Sequence, residues 1–200
     1  VMHDPDGPVL LLPGSRTAAV ERIFPRLLDG FALARKERPE LNALVTYPSD
    51  SVKALLERVL QGYPQLKDAV SFRCNGLEQQ PARAVLMSSG TMSLAVALSG
   101  IPGAIAYRLN PLSYLLGRLF VKIPYIGIAN ILLNRPLHKE YIQDKARAET
   151  LAAELLEACK PGSGDAAAQD AEAIRALLHP TSEATAADWL ARALQPATED

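Results

Sequence analysis

The chain has 200 residues, of which 48% are hydrophobic and 22% are charged, and its formal net charge at pH 7 is −1. This composition is that of a globular protein with enough apolar residues for a core, and it excludes a disordered chain. The small charge supplies no field that would attract nucleic acid. The two cysteines, Cys74 and Cys159, lie in no CxxC motif or metal-ligand spacing, so we expect reduced thiols and no metal site.

Apolar runs and helical periodicities alternate along the first two thirds of the chain. Val20, Ile23 and Leu27 fall on one face of a predicted helix, and a later predicted helix ends at Gly62. This alternation predicts an α/β fold with a doubly wound, mostly parallel sheet of the Rossmann-like kind. The predicted strands are 9–12, 41–47, 69–73, 82–88 and 103–108, and the predicted helices are 18–37, 49–62 and about 92–98.

The composition changes after residue 145. A helix is predicted over 146–160, and the sequence "PGSGDAAAQD" over 161–170 indicates a flexible break. Two further helices are predicted over 165–178 and 181–194, on either side of His179-Pro180. We therefore expect a Rossmann-like domain over 1–160 and a helical C-terminal extension over 161–200.

The longest apolar region, 109–133, contains Arg118 and Lys122 as well as two prolines. No uncharged stretch in it reaches the roughly 20 residues that a membrane-spanning helix needs. We therefore expect no spanning helix. The sequence leaves open whether this region forms a surface that touches lipid or an acyl chain.

Two turns at predicted strand ends have the residues of anion sites. "PGSR" follows the first strand, with Gly14 for close backbone approach, the hydroxyl of Ser15 and the guanidinium of Arg16. "SSGT", 88–91, precedes a helix whose first amide groups favour a phosphate. Each turn alone could be only a turn with a helix cap. Because ligands of doubly wound sheets bind at the carboxyl ends of the strands, a diphosphate held between the two turns is the common hypothesis.

Other polar residues could reach the same edge of the sheet. Tyr107 and Arg108 end the fifth predicted strand, and they either line the cleft or lie at the core edge and the surface. Asn130, Glu140 and Gln143 lie among apolar neighbours, so they bind a ligand or cap local turns.

No catalytic residue is assigned from the sequence. The histidines His3, His138 and His179 are scattered, and although His138 lies near the predicted site in the sequence, a structural role is expected for it. Asp50 is typical of a helix cap. The chain therefore offers no general base by pattern.

The order of the motifs PGSR, SGT, AYR, NPLSY and VKIPYIG, followed by Asn130, Glu140 and Gln143, resembles the lipid-A-disaccharide synthase family of glycosyltransferases. The resemblance runs from about residue 9 to residue 160. It implies the GT-B architecture, in which two Rossmann-like domains face each other across a cleft. This chain would be the C-terminal, donor-binding half, and the N-terminal acceptor domain would be missing from it.

The resemblance also implies a reaction and its partners. 2,3-Diacylglucosamine would pass from its UDP donor to 2,3-diacylglucosamine 1-phosphate, a lipid acceptor, in lipid A biosynthesis. The protein would be cytoplasmic and peripheral on the bacterial inner membrane, with no cofactor, no metal and no nucleic acid. The resemblance leaves open whether the protein forms a homo-oligomer.

The family's nucleotide-sugar-binding residues carry over by position. The resemblance places the first phosphate loop at Gly14, Ser15 and Arg16, and the diphosphate-binding helix start at Ser89, Gly90 and Thr91. It makes Tyr107 and Arg108 a cleft-lining pair, and it puts Asn130, Glu140 and Gln143 near the nucleotide and sugar.

Four positions depart from the family pattern. Ala95 stands where a glutamate would hold the ribose, Ala19 where an acidic residue is usual, Ala129 for a proline and Asn134 for a glycine. These departures leave open a non-catalytic remnant that acts as a membrane-associated or partner-binding module. A different UDP-sugar enzyme, such as an epimerase, would need more acidic and histidine residues than the chain has.

Overall fold

The structure is a computed structural model, and it describes residues 2–74, 80–108 and 124–179. Within these ranges the chain forms a six-stranded parallel sheet, a separate two-stranded pair and six α-helices. The strands are β1 Met2–His3, β2 Val9–Leu12, β3 Ala43–Tyr47, β4 Val70–Cys74, β5 Pro81–Ala82, β6 Ala84–Met87, β7 Gly103–Tyr107 and β8 Lys139–Ile142. The helices are α1 Thr17–Glu37, α2 Asp50–Leu60, α3 Thr91–Leu98, α4 Ile128–Leu133, α5 Ala148–Ala158 and α6 Ser163–Leu178.

The strand order of the main sheet is β4-β3-β2-β6-β7-β8, and all neighbouring strands are parallel. The chain therefore runs outward from β2 in one direction and outward from β6 in the other. This reversal is the topological switch point at which open α/β sheets bind ligands. The predicted doubly wound fold is confirmed.

Helices cover both faces of the sheet. Alternate residues of β2 belong to different cores: Val9 and Leu11 pack with α1 and α5, whereas Leu10 and Leu12 pack with Val96 of α3. All four residues of β2 are buried. A strand that is buried on both faces is continuously apolar, which is why "VLLL" could be recognised in the sequence.

The chain departs from the predicted elements in several places. β8 and α4 were not predicted, and the strand predicted over 82–88 is divided, because β5 pairs with β1 while β6 joins the main sheet. The flexible break predicted over 161–170 is wrong. α6 already begins at Ser163, whose hydroxyl donates to the backbone carbonyl of Ala158 at 2.6 Å. The helix predicted over 181–194 lies outside the described residues.

α6 packs against the domain that the sheet forms. Ile174 of α6 and Ala97 of α3 share one apolar cluster, and a Cβ on Gly100 would lie 3.1 Å from the Cα of Ala168. The division into a domain over 1–160 and an extension over 161–200 stays a prediction. None of the helices in the described ranges is long and apolar enough to cross a bilayer.

The contact between α1 and α5 leaves no room for a side chain at Gly30. A Cβ built there would lie 2.6 Å from the Cβ of Leu151. We expect Gly30→Val to lower the free energy of unfolding by about 1–3 kcal/mol, because the two helices must move apart. Urea denaturation measures the change.

Gly62→Val is the control for this prediction. A Cβ at Gly62 would have no contact shorter than 3.4 Å, so the change should stay within about 0.5 kcal/mol. Equal losses in the two variants would contradict the packing argument.

Candidate functional site

A cleft of about 540 Å³ lies at the carboxyl edge of the sheet, above the switch point between β2 and β6. Four loops line it, and they follow β2, β3, β6 and β7. Its polar lining residues are Ser15, Arg16, Arg22, Thr46, Tyr47, Ser88, Ser89, Thr91, Tyr107 and Arg108. The structure thus brings together the two predicted anion turns and the Tyr107-Arg108 pair.

The two anion turns touch at Gly14. Its φ is +105°, which favours glycine, and a Cβ there would lie 3.1 Å from the Oγ of Ser88. The backbone amide of Ser88 donates to the carbonyl of Leu12 at 2.8 Å, which continues the pairing of β2 with β6 into the turns. Glycine at position 14 therefore lets the first turn pass close to the second.

Two helix N-termini open at this cleft. α1 has Arg16 as its N-cap residue, and α3 has Gly90 as its N-cap residue. Neither helix has an acidic residue in its first turn, so the positive ends of both helix dipoles are uncompensated by their own side chains. Among the described residues a Cβ on Gly90 would meet no atom within 4 Å, which leaves the first amides of α3 open to a ligand.

Three guanidinium groups add positive charge to the cleft, from Arg16, Arg22 and Arg108. Across the described ranges, none of them has an ion-pair partner, and no carboxylate lines the cleft. Arg22 was not predicted from the sequence. Its signal is its position on α1, one helical turn beyond Ala18, which also lines the cleft.

Asn130, Glu140 and Gln143 are not among the residues that line this cleft. Asn130 is fully buried, and its Nδ2 lies 2.6 Å from the His138 carbonyl and 2.8 Å from Glu140 Oε1. Gln143 follows β8 with a φ of +55°. A direct contact of these three residues with a nucleotide or a sugar stays a prediction.

His138 lies at the opposite edge of the sheet from the cleft, directly before β8. Its side chain is 1% exposed, and its Nε2 lies 2.9 Å from the carbonyl oxygen of Ile101. Burial lowers the pKa of His138 more than the bond to Ile101 raises it. Its nearness to the predicted site in the sequence is therefore not nearness in space, and the structural role expected for it agrees with this burial.

The structure gives the surroundings of three residues that depart from the family pattern. Asn134 ends α4 with a φ of +49°, a left-handed conformation that asparagine tolerates better than other residues with a side chain. Ala19 lines the cleft, so an acidic side chain is absent from the lining there. Ala95 is exposed on α3.

Comparison with known proteins gives one family. The family model for lipid-A-disaccharide synthetase matches residues 2–194. The lipid-A-disaccharide synthase of Neisseria gonorrhoeae is 33% identical over 187 residues, which is 92% of this chain and 47% of the relative. That of Pseudomonas syringae pv. tomato is 34% identical over 184 residues, 92% of this chain and 48% of the relative. The chain spans less than half the length of these curated relatives.

The burial of His138 predicts a pH dependence of stability. A histidine in an unfolded chain has a pKa of about 6.5. The pKa of His138 in the folded chain is lower, because burial disfavours its charged form. The unfolded chain therefore binds more protons below about pH 6.5, and the free energy of unfolding falls as the pH decreases from 7 to 5.

We expect His138→Gln to flatten this fall, because glutamine keeps a donor for the Ile101 carbonyl but does not titrate. The measurement is urea denaturation at pH 7, 6 and 5, with His179→Gln, which removes an exposed histidine, as the control. A variant as sensitive to pH as the unsubstituted chain would show that His138 does not contribute.

Proposed function

The chain belongs to the lipid-A-disaccharide synthetase family, and we propose that its cleft binds the diphosphate of a UDP-sugar donor. The observation that carries the proposal is the convergence of two helix N-termini and three guanidinium groups on one cleft that no described carboxylate lines. A diphosphate carries several negative charges on neighbouring oxygens. Backbone amides and the planar forks of arginine are the groups that bind such oxygens best.

The reaction that we propose is the one that the sequence resemblance implies. A hydroxyl of the lipid acceptor, 2,3-diacylglucosamine 1-phosphate, attacks the anomeric carbon of the UDP-bound 2,3-diacylglucosamine. The bond from that carbon to the diphosphate breaks, UDP leaves with the bonding electrons, and the proton of the attacking hydroxyl passes to a general base. Positive groups around the diphosphate stabilise the charge that develops on the leaving group.

The described residues of this chain supply the donor side of that reaction. Arg16, Arg108 and the first amides of α3 would hold the diphosphate, and Arg22 would add charge from α1. We place the acceptor site and the general base in the half of the family's length that this chain does not span. Across the described ranges no carboxylate or histidine lines the cleft.

We also propose that the protein works at the cytoplasmic face of the bacterial inner membrane, where a lipid acceptor resides. Ile131 and Leu132 of α4 support a peripheral contact, because 46% and 36% of their surfaces are exposed. Within the described ranges few apolar side chains are exposed to this extent, so we expect these two to contribute weak and reversible association with lipid. The alternative of a non-catalytic module is not favoured, because both predicted anion turns line an accessible cleft that contains three arginines.

Arg16→Ala tests the proposed donor site. Removing one charge-assisted hydrogen bond to a phosphate costs about 1.5–3 kcal/mol, so we expect the affinity for UDP to fall by about 10- to 100-fold. Titration calorimetry of the full chain with UDP measures the dissociation constant. Binding by the unsubstituted chain should also weaken as salt is added, because Arg16 and Arg22 are exposed.

The matched control is Arg58→Ala, which removes another exposed arginine. Arg58 lies on α2, pairs with Glu21 and does not line the cleft, so the affinity should not change. No heat from UDP or UDP-N-acetylglucosamine at millimolar concentration would contradict the proposed function.

A further inference from the structure

Glu140 uses both of its carboxylate oxygens to hold one turn of the backbone. Its Oε2 accepts a hydrogen bond from the amide of Ile126 at 2.8 Å, and its Oε1 accepts one from the amide of Gly127, also at 2.8 Å. Two amides that precede α4 would otherwise lack partners, so the carboxylate fixes where this helix begins. These bonds join β8 to the backbone that leads into α4.

The turn has little freedom to move. A Cβ on Gly127 would lie 2.6 Å from Cδ1 of Ile105 and 3.2 Å from Oε1 of Glu140. The backbone at Gly127 therefore packs closely against both Ile105 of β7 and the carboxylate of Glu140. A shift of Glu140 would have to shift the turn as well.

Asn130 holds the carboxylate in place. Its Nδ2 donates to Glu140 Oε1 and to the His138 carbonyl, while its Oδ1 accepts from the His138 amide at 3.0 Å. Because Asn130 is fully buried, each of these bonds is costly to leave unmade. The amide side chain thus joins α4 to the start of β8.

The same turn reaches the cleft through Ser89. The Oγ of Ser89 donates to the Ile126 carbonyl at 3.3 Å, and Ser89 lines the cleft. The hydroxyl proton of Ser89 is therefore directed at the turn. The groups that remain for an anion at this position are the backbone amides around Gly90, which α3 orients.

We propose that Glu140 and Asn130 are positioning residues that fix the Ser89–Thr91 turn at the cleft through the backbone of Ile126 and Gly127. The proposal rests on the proposed function only for the identity of the ligand. It gives Glu140 an indirect role, in which the carboxylate is occupied by the protein and the turn that it holds meets the diphosphate.

Glu140→Gln tests the proposal with little change in shape. Glutamine places an NH₂ group where one carboxylate oxygen accepted a backbone amide, so one bond to the turn is lost and two donors face each other. The control is Glu154→Gln, because Glu154 binds Lys139 and Tyr141 and does not contact the turn. We expect Glu140→Gln to weaken UDP binding by about tenfold, and Glu154→Gln to leave it unchanged.

A double-substitution cycle separates positioning from a general loss of stability. If Glu140 acts through Ser89, then Glu140→Gln lowers the UDP affinity of the unsubstituted chain but has little further effect on Ser89→Ala. Equal losses in both backgrounds would overturn the proposal.

A measurement on the ligand-free chain keeps this inference separate from the proposed function. We expect Glu140→Gln to shift the amide NMR signals of Ser89, Gly90 and Thr91, and Glu154→Gln to leave them in place. Unmoved signals would overturn the positioning role, whereas moved signals with no UDP binding would overturn the proposed function alone. If Glu140→Gln does not fold, Ser89→Ala provides the reciprocal readout. It must shift the amide signals of Ile126 and Gly127, and unmoved signals there overturn the proposal.

Discussion

The parallel pairing of β2 with β6 is the constraint on which the cleft depends. Its register runs from Val9 opposite Ala84 to Leu12 opposite Met87, and the bond from the Ser88 amide to the Leu12 carbonyl extends it by one step. This pairing brings two turns that are distant in the chain to one point of the sheet edge. A slip of one residue would turn every side chain of β2 to the other face, so the buried cores on both faces hold the register.

The carboxyl and amino ends of the strands serve different purposes. At the carboxyl edge, the arginines of the cleft lack ion-pair partners across the described ranges, and their charge remains available to an anion. At the opposite edge, His138 is buried and bonded to the backbone of Ile101. The core supplies the stability of the fold, and the exposed charge at the cleft contributes little to it.

Polar side chains fix the backbone where the sheet and helices do not, and of the two concerned Asn130 is buried and Glu140 is half-buried. Glu140 and Asn130 satisfy the amides that precede α4 and the backbone of His138. The carbonyl of Ile126 also accepts a hydrogen bond from the hydroxyl of Ser89. One hydrogen-bond network therefore extends from β8 to the turn at Ser89. Positioning of this kind lets a short turn keep its geometry without strain in the ligand-binding residues themselves.

The sequence by itself determined the strand–helix alternation and the two turns at 13–16 and 88–91, because apolar runs, helical periodicity and glycine-containing turns are local properties. Only the tertiary structure decided the place of β8, since the edge strand "KEYI" is half polar and lacks a continuous apolar run. The tertiary structure also decided the place of Arg22 at the cleft, because helical spacing puts Arg22 one turn beyond Ala18 but does not show which face of α1 lines the cleft. The contacts of Glu140 and Asn130 were also decided there, because their partners lie 8–14 residues away in the chain, and the bond from Ser89 to Ile126 joins residues 37 apart. The packing of β7, β8 and α4 determines which partners meet at such separations, and no local sequence pattern predicts them.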